Sequence, residues 1–154
     1  MHIESSLEKL QDIIENRLLQ IHELRNIPVL NYKQSDFSSI LSNNAKIGIG
    51  IAILLMPPIP SHANQYVEGP IFDHATLEIN VIENTATNQN GPSLLCIAET
   101  IMRHLHMWHH NDDDPNDYIQ LASGTSCCSV ERKDNNNYFI IRFLAPCNIT
   151  SSKL

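Results

Sequence analysis

The chain has 154 residues, of which 42% are hydrophobic and 18% charged, and its formal net charge is −7. Single domains typically span about 100–200 residues, so one domain over residues 1–154 is predicted. The acidic balance argues against the broad basic surface that sequence-independent nucleic-acid binding requires.

The sequence contains no segment typical of export or of a membrane anchor. The N-terminal residues have neither a basic n-region nor an apolar h-region, which argues against a secretory signal. The most apolar stretch, residues 47–60, contains three prolines and falls short of the roughly 20 apolar residues that a spanning helix needs. The four cysteines lack C-x-x-C spacing, so reduced thiols in a cytosolic protein are expected.

Two amphipathic helices are predicted from apolar residues at helical spacing. The first covers residues 5–22 and begins with the capping-box spacing of Ser5 and Glu8. The second begins at Pro92 and Ser93 and ends near His110. Its apolar face comprises Leu94, Ile97, Ala98, Ile101, Leu105 and Trp108. A short third helix is predicted after Asp36.

Strands are predicted around these helices. They are an edge strand at 27–30, a central strand at 47–55, a half-buried strand at 76–84, a strand within 119–132 interrupted at Gly124, and a strand at 138–145. In the last of these, Phe139, Ile141 and Phe143 are expected to face the core. Residues 61–75 are interpreted as a loop or hairpin arm, and Asp134–Asn137 as a hairpin turn. The order predicts an α+β domain, a mainly antiparallel sheet of about four to five strands with helices packed on it.

Four histidines, His104, His106, His109 and His110, cluster at the expected end of the second helix. His106 and His110 have the i, i+4 spacing of the zinc ligands in H-E-x-x-H metalloproteases, but Met107 replaces the catalytic Glu. A catalytic zinc normally has three protein ligands, and no third one is evident. The preferred interpretation is a solvated last helical turn, and no metal ligand is assigned.

An acidic run, Asp112, Asp113, Asp114 and Asp117, follows the histidines. Its oxygens suit Mg²⁺ or Ca²⁺, but the spacing is not that of an EF-hand loop. The preferred interpretation is a polar loop at Pro115, and the alternative is a cation site that joins subunits.

The remaining candidates for chemistry are weak. Cys127 and Cys128 are expected in a strand with one thiol on each sheet face. Ser123–Ser126 contains no G-x-S-x-G nucleophile elbow, and the chain has no phosphate-binding glycine loop. No catalytic residue, cofactor or cofactor-binding residue is therefore predicted. Ile71 and Phe72 are apolar residues in an otherwise polar segment. Two interpretations remain open: the side chains pack beneath the domain, or they anchor a subunit interface.

The chain resembles the tail-terminator or tail-completion proteins, a group of minor tail proteins of long-tailed bacteriophages and prophages. The resemblance lies in the element order and in four stretches: residues 50–57, the turn Gly69–Phe72, residues 77–84, and a helix with Ala98–Glu99 that ends in Leu105–Trp108. It implies a non-enzymatic structural protein that self-associates into a ring, commonly a hexamer. The ring would close the tail tube and meet the head–tail connector, in the virion and, during assembly, in the host cytoplasm.

A ring of identical subunits uses two different patches per subunit. The loop at 84–91 and the arm at 61–75 are candidates for one patch, and a sheet edge for the other. Two alternatives remain open: a metal-dependent hydrolase centred on His104–Asp117, or a small bacterial adaptor or regulatory domain.

Overall fold

A computed structural model describes residues 6–31, 48–56, 59–60, 70–110, 117–133 and 135–150. Within this part of the chain, the helices are α1 (Ser6–Leu19) and α2 (Leu94–Leu105), with short 3₁₀ helices at His22–Leu24 and Gly124–Ser126. The strands are β1 (Val29–Asn31), β2 (Ile49–Leu55), β3 (Ile59–Pro60), β4 (Pro70–Asn84), β5 (Trp108–His109), β6 (Tyr118–Leu121), β7 (Cys128–Lys133) and β8 (Asn136–Thr150). The predicted helix after Asp36 lies outside the described residues.

The eight described strands form one sheet with the order β1-β2-β4-β8-β6-β5. The short strands β3 and β7 pair with β4 and β8, respectively. Strand β1 lies parallel to β2, and the other described pairings are antiparallel. The α+β prediction is confirmed, but the sheet is mixed and larger than the four to five strands expected.

Two strands of 15 residues each, β4 and β8, pair along the middle of the sheet. At about 3.4 Å per residue, each spans about 50 Å. Shorter strands pair with the outer edges of these two long strands. Strands β2 and β3 pair with successive segments of β4, and β7 and β6 pair with successive segments of β8. The expected loop or arm at 61–75 is therefore corrected at its end: residues 70–75 are strand, while 61–69 lie outside the described residues.

Both described helices pack on one face of the sheet, where they form the main core. From the helices, the core receives Leu10, Ile14, Leu18, Leu94, Ile97, Ala98, Ile101 and Leu105. From the strands it receives mainly Ile49, Ile51, Ile53, Leu77, Ile79, Val81, Ile141 and Phe143. Period-two alternation correctly predicted these strand faces, including the core positions of Ile141 and Phe143.

The opposite face of the sheet has a smaller apolar cluster. It comprises Ala52, Leu54, Ile82, Tyr138 and Ile140. Leu30 of β1 packs against this cluster. Ala52, a small residue of β2, is fully buried on this face.

The second helix ends earlier than predicted. Leu105 is its last residue, and His106 leaves the helix with ψ 126°. Met107 then has a positive φ of 63°, and Trp108 enters strand β5. Trp108 is thus not on the helix face, although it lies three positions after Leu105. The predicted start is confirmed, because the Ser93 hydroxyl accepts a hydrogen bond from Cys96 N–H at 3.2 Å.

The hairpin between β7 and β8 has a defined register. Lys133 pairs with Asn136, which leaves a loop of two residues between them. Asn135 has a φ of 66°, as primed hairpin turns require and as asparagine tolerates better than most residues. The predicted interruption of the preceding strand is also confirmed, since the 3₁₀ helix at Gly124–Ser126 separates β6 from β7.

Gly48 allows the chain to pass close to the turn after β4. Its φ is +89°, and a Cβ there would lie 3.0 Å from the Asn88 nitrogen and 3.1 Å from the Thr87 carbonyl carbon. We expect Gly48→Ala to lower the free energy of unfolding by about 2 kcal/mol, through strain and crowding. Urea denaturation followed by circular dichroism measures this change.

Gly124 provides the matched control for this prediction. Its φ is +69°, but a Cβ there would meet nothing within 4 Å. Gly124→Ala should therefore cost only the backbone strain, about 1 kcal/mol. Equal losses for the two variants would show that crowding at Gly48 contributes nothing.

No helix within the described ranges is both long and apolar enough to cross a membrane.

Candidate functional site

The four clustered histidines do not converge on a common point. His104 lies in the last turn of α2, and its Nε2 is 3.8 Å from the Glu23 carboxylate. His106 Nδ1 accepts a hydrogen bond from Leu121 N–H at 3.1 Å. The ring of His109 lies 5.5 Å from that of Tyr118. His106, His109 and His110 follow the helix, so their predicted place in its last turn is wrong, whereas the predicted solvent exposure is confirmed for His106 and His109.

Among the described residues, His110 is the one histidine of this group that lies beside a member of the acidic run. Its Nε2 lies 2.8 Å from Asp117 Oδ1, and both side chains are largely buried, at 16% and 14% exposure. Asp112, Asp113 and Asp114 lie outside the described residues. Within the part of the chain that the structure describes, no group of three or more His, Cys, Asp or Glu side chains is arranged to hold a metal ion.

The region around Trp108 links the two helices. The Arg17 guanidinium of α1 lies 4.9 Å from the centre of the Trp108 ring, within the range of a cation–π contact. Arg17 Nη2 also donates a hydrogen bond to the His104 carbonyl at 3.3 Å. These contacts connect α1 to the C-terminal end of α2 and to β5. They bring no nucleophile and general base together.

The vicinal cysteines occupy different elements, which corrects the expectation of a single strand. Cys127 ends the 3₁₀ helix with φ −68° and ψ −34°, and Cys128 begins β7. The Cys128 Sγ lies 3.9 Å from the Met102 sulfur, against the helix. Burial, followed by the hydrogen bond and charge of Cys127, raises the pKa of Cys128 to about 11.

The raised pKa makes a testable prediction about thiol reactivity. The thiolate is the reactive form, and the Cys128 thiol stays protonated well above neutral pH. At pH 8, iodoacetamide should therefore modify Cys128 much more slowly than Cys96, which is exposed. Peptide mass spectrometry measures both rates, and protein unfolded in urea provides the control, because both thiols should then react alike. Equal rates in the folded protein would contradict the prediction.

A depression of about 300 Å³ lies on the sheet face opposite the helices. We refer to it as the sheet-face depression. It is lined by Glu78, Asn80, Glu131, Lys133, Tyr138, Ile140 and Arg142. These residues come from β4, β7 and β8, where the alternation of each strand directs them to the same face.

An ion pair lies in the sheet-face depression. Arg142 Nε is 3.4 Å from Glu78 Oε2, and the two side chains are 28% and 12% exposed. Arg142 Nη1 also donates to the Ser126 carbonyl at 3.2 Å and to the Ser129 hydroxyl at 3.4 Å. The buried amide of Asn80 donates to Glu78 Oε1 at 3.4 Å. The guanidinium of Arg142 in β8 thus cross-links its own strand to β4 and β7.

The Glu78–Arg142 pair was not identified from the sequence, although charged residues within apolar strands could have indicated it. Arg142 is the one charged residue of β8, and Glu78 lies between the apolar residues Leu77 and Ile79 of β4, on the side away from the core. Their partnership depends on the β4–β8 register, which pairs residues 64 positions apart. The mixed charges of the depression suit contact with a polar protein surface better than binding of one highly charged ligand.

Comparisons with known proteins show the fold. No known protein family matches the chain, and no curated protein matches it. A solved chain described as "Virion of native gene transfer agent (GTA) particle" aligns with 90% of this chain and 94% of its own length, at a TM-score of 0.54 and 11% identity. A second solved chain covers 92% of this chain and 98% of its own at 9% identity, but its TM-score of 0.49 carries no argument. This chain therefore has the fold of a chain from the gene transfer agent virion.

Proposed function

We propose that this chain is a non-enzymatic structural protein of phage or prophage tail assembly. In this role it forms a ring, which terminates the tail tube and joins it to the head. The observation that carries the proposal is the fold shared with a chain of a virion over 90% of the present chain. The resemblance in sequence to tail-terminator proteins supports the same role independently.

The described surface is compatible with a structural role. The sheet-face depression holds the paired Glu78 and Arg142, and the four clustered histidines each contact a different neighbour. The partners in this proposal are further copies of the chain, the tail tube and the head–tail connector. Its location is the virion, after assembly in the host cytoplasm.

The mass of the purified protein in solution tests the ring. Light scattering at increasing concentrations, with and without Mg²⁺, should detect one discrete large species. A hexamer would have six times the mass of the 17.4 kDa chain. An effect of Mg²⁺ that EDTA reverses would indicate a cation joint at the acidic loop. A chain that stays monomeric under all conditions would count against ring formation.

Binding to the tail tube tests the second half of the proposal. Tubes assembled from the cognate tube protein should bind the chain at their ends, which electron microscopy of labelled protein can locate. Binding along the whole tube, or none, would argue against a terminator. The outcome also separates this role from that of a host adaptor domain, which has no reason to recognise a tube end.

The metal-dependent hydrolase remains the enzymatic alternative. Its strongest support is the 2.8 Å approach of His110 to Asp117. Metal analysis of untreated protein discriminates between the two functions. We expect less than one zinc per chain, and stoichiometric zinc would favour the hydrolase over the structural protein.

A further inference from the structure

Strands β1 and β7 lie on opposite edges of the sheet, at the same level along the strand direction. The printed pairings connect them residue by residue: Val29 pairs with Ile51, Ile51 with Val81, Val81 with Phe139, and Phe139 with Val130. Val29 and Val130 are therefore the two ends of one row across five strands. Among the described residues, no strand pairs with the outer side of β1 or β7.

The backbone groups at both ends of this row point away from the sheet. The Ile51 N–H donates to the Pro28 carbonyl at 2.9 Å, so the alternation of a strand directs the polar groups of Val29 outward. On the other side, the Arg142 N–H donates to the Cys127 carbonyl at 2.8 Å. Every second residue after Cys127 bonds to β8, so the polar groups of Val130 also point outward.

The directions of β1 and β7 also allow the two edges to pair. β1 is parallel to β2, and β2 and β8 are both antiparallel to β4, so β1 and β8 run the same way. β7 is antiparallel to β8 and hence to β1. A second copy displaced sideways in the same orientation would therefore present its β1 as an antiparallel partner for β7. No shift along the strands is needed to place Val29 beside Val130.

The side chains at this position are apolar and lie on the same face. Val29 packs against the core on the helix side of the sheet. Val130 pairs with Phe139, which also packs against that core, yet Val130 is 67% exposed. Leu95 of α2 is 63% exposed, and it lies two helical turns from Met102, which touches Cys128 at the start of β7. Exposed apolar side chains beside an unpaired strand edge are typical of a surface that is covered in an assembly.

We propose that β7 of one copy of this chain adds to β1 of the next copy, with Val130 beside Val29, so that the sheets continue from subunit to subunit. This inference rests on the self-association in the proposed function and assigns its interface. The two contacting patches differ, so each subunit keeps one free edge for a further copy. Such a contact closes into a ring if the rotation between subunits permits.

Disulfide trapping tests the pairing at the level of single residues. Residues opposite each other in a hydrogen-bonded antiparallel pair have Cα atoms about 5.5 Å apart, within the range that a disulfide bridges. Val29→Cys and Val130→Cys are introduced together in a Cys96→Ser background, which removes the exposed native thiol. Mild oxidation should give a ladder of covalent multimers that a reductant collapses.

The single-cysteine variants are the matched controls. Each alone should remain monomeric on a non-reducing gel, whereas a mixture of the two should give covalent dimers only. Dimers from Val130→Cys alone would show that β7 pairs with itself, and would overturn the inference. The absence of a ladder from the double variant would overturn it as well.

A second pair of variants separates this interface from self-association in general. Val130→Glu should abolish the large species in light scattering at concentrations where the wild type forms it. Leu19→Glu changes a similarly exposed apolar residue on α1, at 59% exposure against 67% for Val130, and should leave the species intact. If the wild type assembles and Val130→Glu does not alter this, the interface is wrong and the ring stands. If the wild type never assembles and the double-cysteine variant gives no ladder, both proposals fail.

Discussion

Replacing Phe143 by alanine is expected to lower the free energy of unfolding by about 3–5 kcal/mol, as for other large core truncations. Phe143 is fully buried in β8. It is paired with Leu77 of β4 on one side and with Leu121 of β6 on the other. Helix α2 packs on the same face, so the movement of one strand alone should not close the cavity left by the ring.

Urea denaturation measures this loss, and the midpoint should fall at an unchanged slope. Small domains have free energies of unfolding of about 5–15 kcal/mol, so the expected loss is a large part of the total stability. Phe143→Leu keeps most of the volume and should lose clearly less. Val130→Ala, at a position 67% exposed, should change stability by less than about 0.5 kcal/mol. Equal losses at positions 143 and 130 would contradict the assigned core.

The strand faces were predictable because their cause is local. In β2, Ile49, Ile51 and Ile53 alternate with small residues, and the structure buries the isoleucines under the helices. The direction of each side chain follows from the alternation along a single strand, whatever that strand pairs with. The same reasoning correctly placed Ile141 and Phe143 in the core.

The end of α2 was not predictable from periodicity. Trp108 lies three residues after Leu105 and fits the apolar stripe, but Met107 adopts a φ of 63° and turns the chain away. A glycine is the usual signal for such a conformation, and methionine gives none. The partner that the new direction serves is also remote, since the Met107 N–H donates to the Ile119 carbonyl at 2.6 Å.

The size of the sheet depended on contacts between distant segments. Residues 70–75 contain a proline and no clear alternation, and they are strand because they pair with residues 145–150 at the other end of the chain. The pairing of Glu78 with Arg142 has the same origin. Sequence-local reasoning identifies which face a residue occupies, whereas the sheet-face depression exists only after the β4–β8 register is known.

Breaking the Glu78–Arg142 pair is the second large effect that we expect. Arg142→Met should lower the free energy of unfolding by about 2–3 kcal/mol, because it leaves a largely buried carboxylate without its cation. Glu78 is 12% exposed, and its remaining partner is the Asn80 amide at 3.4 Å. Glu78→Gln, which retains an acceptor for Asn80, should cost about 1 kcal/mol.

The double variant Glu78→Gln/Arg142→Met then determines how much of this loss belongs to the pair. It removes the uncompensated charge, so it should be more stable than the sum of the single losses predicts, by at least about 1 kcal/mol. The exposed pair Glu99–Arg103 provides the matched control, with a 2.6 Å separation and side chains 60% and 75% exposed. Its coupling should be only about 0.3–0.5 kcal/mol, and should fall with added salt. Equal couplings in the two cycles would mean that the sheet-face depression is as well solvated as the outer surface of α2, and that Arg142 does not fix the three strands around it.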